Sequence, residues 1–438
     1  MSNVILIAGL NYGDEGKGTT VDYLARKHEA HTVVRYNGGA QAGHSVVLED
    51  DRHHTFAQFG SATFVPGVKT HLSRHMLINP IFMMSEEKHL RTVGVEDAFE
   101  RMTIERDALI TTPYHVAANR IREMARSNRH GSCGMGIGET VSSHLFHPQE
   151  DLRIGDLEGP ITARLEQIRA RYLWELATLH IPECKFRDYD CICPFKHEWG
   201  MLLNKSLLPL IVGLLTGFLK LPLKVVDETY LPLIMGEGTT IFEGAQGVLL
   251  DQDYGFHPYT TWSDTTFSNA LNLIEGFSGD VRKIGIVRSY MTRHGAGPFV
   301  TEDVTLQLPS TKVEHNSLNP WQSNFRVGHF DAFATNYALK VIGGVDEIAM
   351  THCDVPSSGK ICVGYRGEFT PEVLQDMPHV KHIREDLDVR TGITNALFNV
   401  FPVYLTDVAE KDFIPKIEDF VGTPITIKSY GPTAKDKR

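Results

Sequence analysis

The first 37 residues admit very few folds. The apolar run NVILIAG (3–9) ends in glycine, the turn LNYGDEGKG follows, GTTVDYLARKH carries apolar residues at helical spacing, and a β-branched run covers 32–37. Strand, glycine-rich turn, helix and strand within about 30 residues make a βαβ unit, which requires parallel strands. The alternation continues. Further strand patterns lie at 239–244, 281–292, 346–354, 360–366 and 423–430, with helical patterns at 113–127, 161–180 and 329–343. Such alternation predicts an α/β fold with a large, mostly parallel central sheet and flanking helices. No internal repeat or low-complexity linker interrupts it, so 1–438 reads as one large domain, with a helical subdomain expected around 151–235.

Of the 438 residues, 42% are hydrophobic and 22% charged, the profile of a soluble globular protein. A formal net charge of -11 disfavours a nucleic-acid partner, so an anionic ligand must be held by a local site. The N-terminal apolar run lacks a basic leader and reads as strand rather than signal peptide, which points to the cytoplasm. LLPLIVGLLTGFL (207–219) is shorter than the roughly 20 residues that span a bilayer and is interrupted by Pro209 and Gly213; a buried helix, and no membrane partner, is expected. The six cysteines do not suggest a disulfide framework, and Cys184, Cys191 and Cys193 lack the paired spacing of zinc sites, so ordinary reduced thiols are expected.

A strand, a glycine-rich turn and a helix N-terminus aim backbone N–H groups and a positive dipole end at one point, which suits a phosphate. The turn is P-loop-like but not G-x4-G-K-[ST], since Gly18 follows Lys17, and spacing alone leaves an ordinary strand-to-helix turn open. It also carries two carboxylates, Asp14 and Glu15, that would repel a polyphosphate. NGGAQAGH (37–44) follows the second strand and ends in His44, placed to donate a proton to developing negative charge. EGAQGVLLDQDYG (243–255) and MTRHGAGPFVTE (291–302) are further glycine-bounded loops, in line with ligand binding at the carboxyl ends of parallel strands.

GDEGKG, GGAQAGH, EGAQGVLLD, TRHGAGPFVTE and GTPITIKSYGP together resemble the adenylosuccinate synthetase family, in the same order and across nearly the whole chain. That family joins aspartate to C6 of IMP at the expense of GTP, giving adenylosuccinate, GDP and phosphate through a 6-phosphoryl intermediate, with Mg2+ and as a homodimer. The resemblance implies that Asp14 takes the N1 proton of the base so that O6 attacks the γ-phosphate, that His44 is the general acid, and that Lys17 and Gln246 complete the catalytic set. Mg2+ and Lys17 would offset the charge of Asp14, and the metal would be held by Asp14 and Gly43. GTP would meet Gly13, Glu15, Gly16, Lys17, Gly18, Arg326, His352, Asp354, Ser429, Gly431 and Pro432, with Tyr430 in the same closing loop and His352 standing where the family has lysine. The acceptor nucleotide would meet Gln41, Ser132, Cys133, Gln246 and Thr261.

The departures from the family pattern cluster at the acceptor and amine loops. In GSCGMGIGE (131–139), Ser132 and Cys133 replace threonines and Glu139 replaces proline, which implies a weaker phosphate grip. LRIGDL (152–157) is retained, but HPQED before it lacks the arginine that reaches across the family's dimer, and Gln41 replaces an asparagine. The aspartate loop NPWQSNFRVGHFD (319–331) keeps only Arg326 and Gly328, losing charge-assisted hydrogen bonds worth about 1.5–3 kcal/mol each unless residues such as Arg288 and Arg293 compensate. Two readings follow: ligation of IMP with aspartate, or the same chemistry on another purine (deoxy)nucleotide, purine analogue or amine. Family members acting on dGMP carry a smaller residue at the loop aspartate, so Asp14 favours a hypoxanthine-like base. A regulator without ligase activity is argued against by retention of Asp14, Lys17, His44 and Gln246. Asp14→Ala should abolish GDP release while leaving the circular dichroism spectrum and melting temperature near those of the unsubstituted protein.

Overall fold

The computed structural model describes residues 3–127, 131–179, 195–306, 321, 325–367 and 385–438. Cys184, Cys191, Cys193 and residues 319, 320 and 322–324 of the altered aspartate loop lie outside the described residues. The expected βαβ unit is present: β1 (Asn3–Gly9), α1 (Lys17–Lys27) and β2 (Thr32–Arg35). The remaining strands of the central sheet are β3 (Lys69–Leu72), β4 (Met102–Glu105), β5 (Lys224–Val226), β6 (Thr240–Glu243), β7 (Asp280–Arg288), β8 (Glu347–Thr351) and β9 (Ile425–Lys428). Their order across the nine-stranded sheet is β9-β8-β7-β1-β6-β2-β3-β4-β5. Every neighbouring pair is parallel.

Parallel strands are covered on both faces, so they read as continuous apolar runs. Val4 to Ala8 and all of β2, β6 and β8 are buried, and α1 packs Val21, Leu24 and Ala25 onto Ile5, Ile7 and Ile241. On the other face Leu6, Ala8 and Phe242 join the helix Ala332–Val341 through Phe333, Tyr337 and Ala338. A further apolar cluster gathers under β3 and β4, where α2 (Pro113–Ala125), α4 (Thr162–Ala177) and α5 (Leu208–Phe218) meet. The described residues of 151–235 are mainly helical, but β5 returns to complete the sheet edge.

Two expectations change. The run 281–292 is not one strand: the chain leaves the sheet after Arg288, and Met291–His294 pairs antiparallel with Phe325–Gly328. The segment 207–219 is helical but buried along one stripe only, Ile211, Leu215 and Phe218, while Leu210 is 58% exposed. No single helix among the described residues is long and apolar enough to cross a membrane.

The turn after β1 is organised by a carboxylate turned inward. Glu15 is 1% exposed; its Oε1 accepts the N–H groups of Asn11 (3.0 Å) and Gly13 (2.8 Å), and its Oε2 meets Lys17 Nζ at 2.5 Å. A Cβ on Gly9 or Gly247 would lie 2.3 Å from Glu15 Oε2 or 2.6 Å from Oε1, so both glycines make room for it. Glu15→Ala should destabilise the protein by about 3–5 kcal/mol, because it strands a buried ammonium and two N–H groups. Chemical denaturation, compared with the smaller effect of the conservative Glu15→Gln, checks this.

Candidate active site

The loops after β1, β2, β6, β7, β8 and β9 converge at the carboxyl edge of the sheet and wall one cavity of about 960 Å3. Gly13, Asp14, Gly16, Lys17 and Gly18 line it from the first loop, Gln41, Gly43 and His44 from the second, and Gln246 and Thr261 from the third. His352 and Asp354 enter after β8, and Ser429, Gly431 and Pro432 after β9. Ser132 and Cys133 come from the segment between α2 and α3 (Ile137–Phe146). Thus the sequence-predicted residues are brought together with two exceptions.

The exceptions have physical reasons. Glu15 does not line the cavity, because its side chain serves the loop from within. Arg326 does not line it either: its guanidinium meets Glu302 at 2.5 Å and the carbonyls of Gly295 (3.1 Å) and Gly297 (2.9 Å). Lys17 is paired directly with Glu15, and acts on Asp14 only through its charge, which helps to hold that carboxyl down. Arg293 lines the cavity, yet its guanidinium donates to the carbonyls of Tyr259, Ala296 and Pro298. It is therefore not a ready substitute for the altered aspartate loop.

Asp14 adopts a left-handed backbone (φ 59°), and its carboxylate is about 38% exposed to the cavity. Oδ2 lies 3.2 Å from His294 Nε2, and Arg288 Nε donates to the Asp14 carbonyl at 2.5 Å. Burial pushes the carboxyl up, but His294 and Arg288 outweigh it and its pKa is lowered. Gln246 and His352 share the left-handed conformation (φ 59° and 60°) and the same cavity. Non-glycine residues held there store strain of order 1–3 kcal/mol, a feature concentrated at functional sites.

His44 is held in the opposite way. It is 6% exposed, and Nδ1 donates to Glu243 Oε1 at 2.5 Å, which leaves Nε2 as the second proton-handling atom. Glu243 also accepts the Ser61 N–H (2.9 Å) and the Ser61 hydroxyl. Burial pulls the imidazole below its ordinary value against the pull of Glu243. For Glu243, burial acts upward, but Arg35 and His44 overcome it and push the carboxyl down to about 2. Gly18 permits this placement, since a Cβ there would lie 2.8 Å from His44 Cβ.

Both polar atoms of the Gln41 amide and Oε1 of Gln246 are buried without a hydrogen-bond partner among the described residues. Buried amides in that state are suited to reading a polar ligand. For a divalent cation, Asp14 offers a cavity-facing carboxylate, and Gly43, which lines the same cavity, has only its backbone carbonyl to offer. Hard oxygen donors of this kind, few in number, fit Mg2+ shared with phosphates; no cluster of three His, Cys, Asp or Glu suited to a softer metal occurs among the described residues.

The family model described as adenylosuccinate synthetase matches residues 6–437. The chain belongs to the adenylosuccinate synthetase family. It is therefore a GTP-dependent C–N ligase of purine biosynthesis, in a family that uses Mg2+. An adenylosuccinate synthetase of Proteus mirabilis is 30% identical over 99% of this chain and 97% of its own, and one of Clostridium beijerinckii is 29% identical over 98% and 97%. The fold is similar to that of a fully ligated Plasmodium falciparum adenylosuccinate synthetase (TM-score 0.73, 23% identity, 99% of each chain). It is also similar to a cyanophage S-2L succinoaminodeoxyadenylate synthetase bound to dGMP and to dATP as an energy donor (TM-score 0.60, 17% identity, 100% of this chain and 95% of that one).

Reading the sequence for family motifs overlooked Glu243, His294, Arg122, Arg126 and Trp262, the last four of which line the cavity. A signal existed for Glu243, a carboxylate closing the strand TIFE, and for His294, an imidazole beside a glycine turn. Because the Glu243 carboxyl is lowered, its contribution to stability is complete above its ordinary value near 4.5 and lost as pH falls toward about 2. Glu243→Gln should therefore cost roughly 3 kcal/mol at pH 7, a difference that shrinks through this acid window. Urea denaturation of both proteins from pH 7 to pH 3 measures it.

Proposed function

We propose that this ligase activates the 6-oxo group of a purine nucleotide with the γ-phosphate of GTP and replaces it with an amine, IMP and aspartate being the substrate pair favoured by the family. The observation that carries this reading is Asp14 and His44 on one cavity whose walls also hold the unpaired amide of Gln41 and the unpaired amide oxygen of Gln246. Asp14, its charge sustained by His294 and Arg288, takes the N1 proton; the O6–phosphorus bond forms as the bond to GDP breaks. His44, its Nδ1–H held by Glu243, donates from Nε2 to the phosphoryl oxygens as imidazolium, the form that phosphate charge beside it favours. The amine nitrogen then bonds C6, the C6–O6 bond breaks, and phosphate departs. Asp14 and Gly43 would hold Mg2+, which supplies countercharge for the β- and γ-phosphates. Donor recognition is assigned to Asp354, His352 and the arm Ser429–Pro432, acceptor recognition to Gln41, Ser132, Cys133, Gln246 and Thr261.

A second reading, another purine acceptor or amine, is favoured by the acceptor end itself. There Glu139 occupies the first turn of α3, Arg122 is engaged by Glu139 (3.0 Å) and Glu175 (2.5 Å), and the indole of Trp262 stands 45% exposed. A homodimer, as in the family, is supported by Leu145, Phe146 and Trp174, which are 59%, 69% and 75% exposed on the adjoining helices α3 and α4. A cytoplasmic setting matches this substrate class.

Incubation with GTP, Mg2+, aspartate and IMP should release GDP and adenylosuccinate at equal rates. GDP release only with another purine or amine would replace the first reading by the second. The absence of GDP with a full acceptor and amine panel would contradict the ligase mechanism in this chain.

A further inference from the structure

The arm that follows β9 is built as a closed loop. Lys428 and Arg438 exchange backbone hydrogen bonds at 2.9 Å each, Tyr430 N–H donates to the Asp436 carbonyl (2.9 Å), and Asp436 Oδ2 accepts both the N–H (2.8 Å) and the hydroxyl (2.7 Å) of Thr433. Gly431 is packed against Asp436, where a Cβ would lie 2.7 Å from the carboxylate. Ser429, Gly431 and Pro432 present this loop to the cavity.

One side chain fastens the loop to the phosphate turn. Lys437 is 6% exposed, and its ammonium donates to the Thr433 carbonyl (2.8 Å) and to Thr19 Oγ1 (2.6 Å). The Thr19 hydroxyl donates in turn to the Pro432 carbonyl (2.7 Å). Thr19 sits in the first turn of α1, two residues beyond Lys17, and itself lines the cavity. A short relay, ammonium to hydroxyl to carbonyl, therefore spans from the buried lysine to the cavity wall.

We propose that Lys437 is a positioning residue for the triphosphate donor: through Thr19 it sets the distance between the arm Ser429–Pro432 and the phosphate turn, and so the width of the donor site. The proposal rests on the assignment of that arm to GTP. Its chemistry is that of charge-assisted hydrogen bonds, about twice as strong as neutral ones, so the relay is tight while the lysine is protonated. The charged groups facing Lys437 are Asp22 of α1, which is itself bound by Arg26 (2.9 Å), and Asp436 of the arm. Burial dominates over these carboxylates and pulls the lysine down to about 8. Protonation, and with it the relay, is complete below that value and lost as pH rises through it.

The test is calorimetric binding of GTP, with Mg2+ present, to the full chain at pH 7 and pH 9. The unsubstituted protein should bind severalfold more weakly at pH 9. Lys437→Met should bind about tenfold more weakly at pH 7 and show little further change at pH 9. Lys437→Arg, which keeps its charge at both values, should bind near the original affinity and lose the pH dependence. If Lys437→Met does not fold, Thr19→Val, which keeps the lysine and breaks the relay, should reproduce the weakening. Equal affinity in the Met or Val variant, or an unchanged pH dependence in the Arg variant, overturns the proposal while leaving the donor assignment intact. No GTP binding by the unsubstituted protein overturns both.

Discussion

The Glu15 carboxylate, buried among its own loop's N–H groups, is the constraint on which the active-site edge depends. A turn of this shape concentrates unpaired donors and a helix N-terminus, and without a ligand something must satisfy the donors that face inward. Glu15 does so for Asn11 and Gly13, and fixes the Lys17 ammonium 2.5 Å away. The consequences spread outward. Gly9 on β1 and Gly247 after β6 must lack side chains, and Thr351 at the end of β8 donates to the Glu15 carbonyl at 2.8 Å. Residue 15 thus meets the loop after β6 with its carboxylate and the end of β8 with its carbonyl, and the adjacent Asp14 is left facing the cavity.

The two residues proposed to move protons are held by contrasting environments, which separates their roles. Asp14 is open to the cavity, strained in its backbone and faced by His294 and Arg288, so it is an exposed anion ready to accept. His44 is enclosed and tied through Nδ1 to Glu243, whose charge is balanced by fully buried Arg35. Oriented hydrogen bonding of one imidazole nitrogen is what defines the chemistry of the other.

How much of this was legible in the sequence depends on whether a residue's direction follows from its neighbours. The β1–α1–β2 unit was readable because parallel strands are buried on both faces and their apolar runs are unbroken. The convergence of glycine-rich loops followed from the same topology, since loops after parallel strands share one edge of the sheet. Direction within a turn did not follow. Asp14 and Glu15 are consecutive carboxylates, yet one faces the cavity and the other faces core, a distinction set by Gly9 and Gly247, which lie far apart in the chain. Arg326 kept its family position but is engaged by Glu302 and two glycine carbonyls, and the break after Arg288 arises from pairing of Met291–His294 with a distant strand. Tertiary partners decided each of these.

The acceptor end shows how substitutions that look independent act as a set. Gly131, Gly134 and Gly136 have positive φ, the geometry of an anion-binding concavity. The N–H of Gly131 goes to Glu123 Oε1 (2.9 Å) and that of Gly136 to Asn119 Oδ1 (3.2 Å), while Asn119 also holds the Ser132 hydroxyl (3.0 Å). Shortening threonine to serine therefore keeps a hydroxyl in a network with α2. Cys133 contributes a thiol that burial pushes up to about 11, so it stays neutral at the cavity wall. Glu139 places a carboxylate at the start of α3, where the helix dipole favours negative charge, and it engages Arg122; Arg126 meets Glu123 at 3.2 Å. Each of these two cavity-lining arginines thus has a carboxylate partner. If the acceptor phosphate is read at this end, as proposed, its binding would exchange hydrogen-bond partners rather than draw on a surplus of positive charge, which is where an altered acceptor would make itself felt.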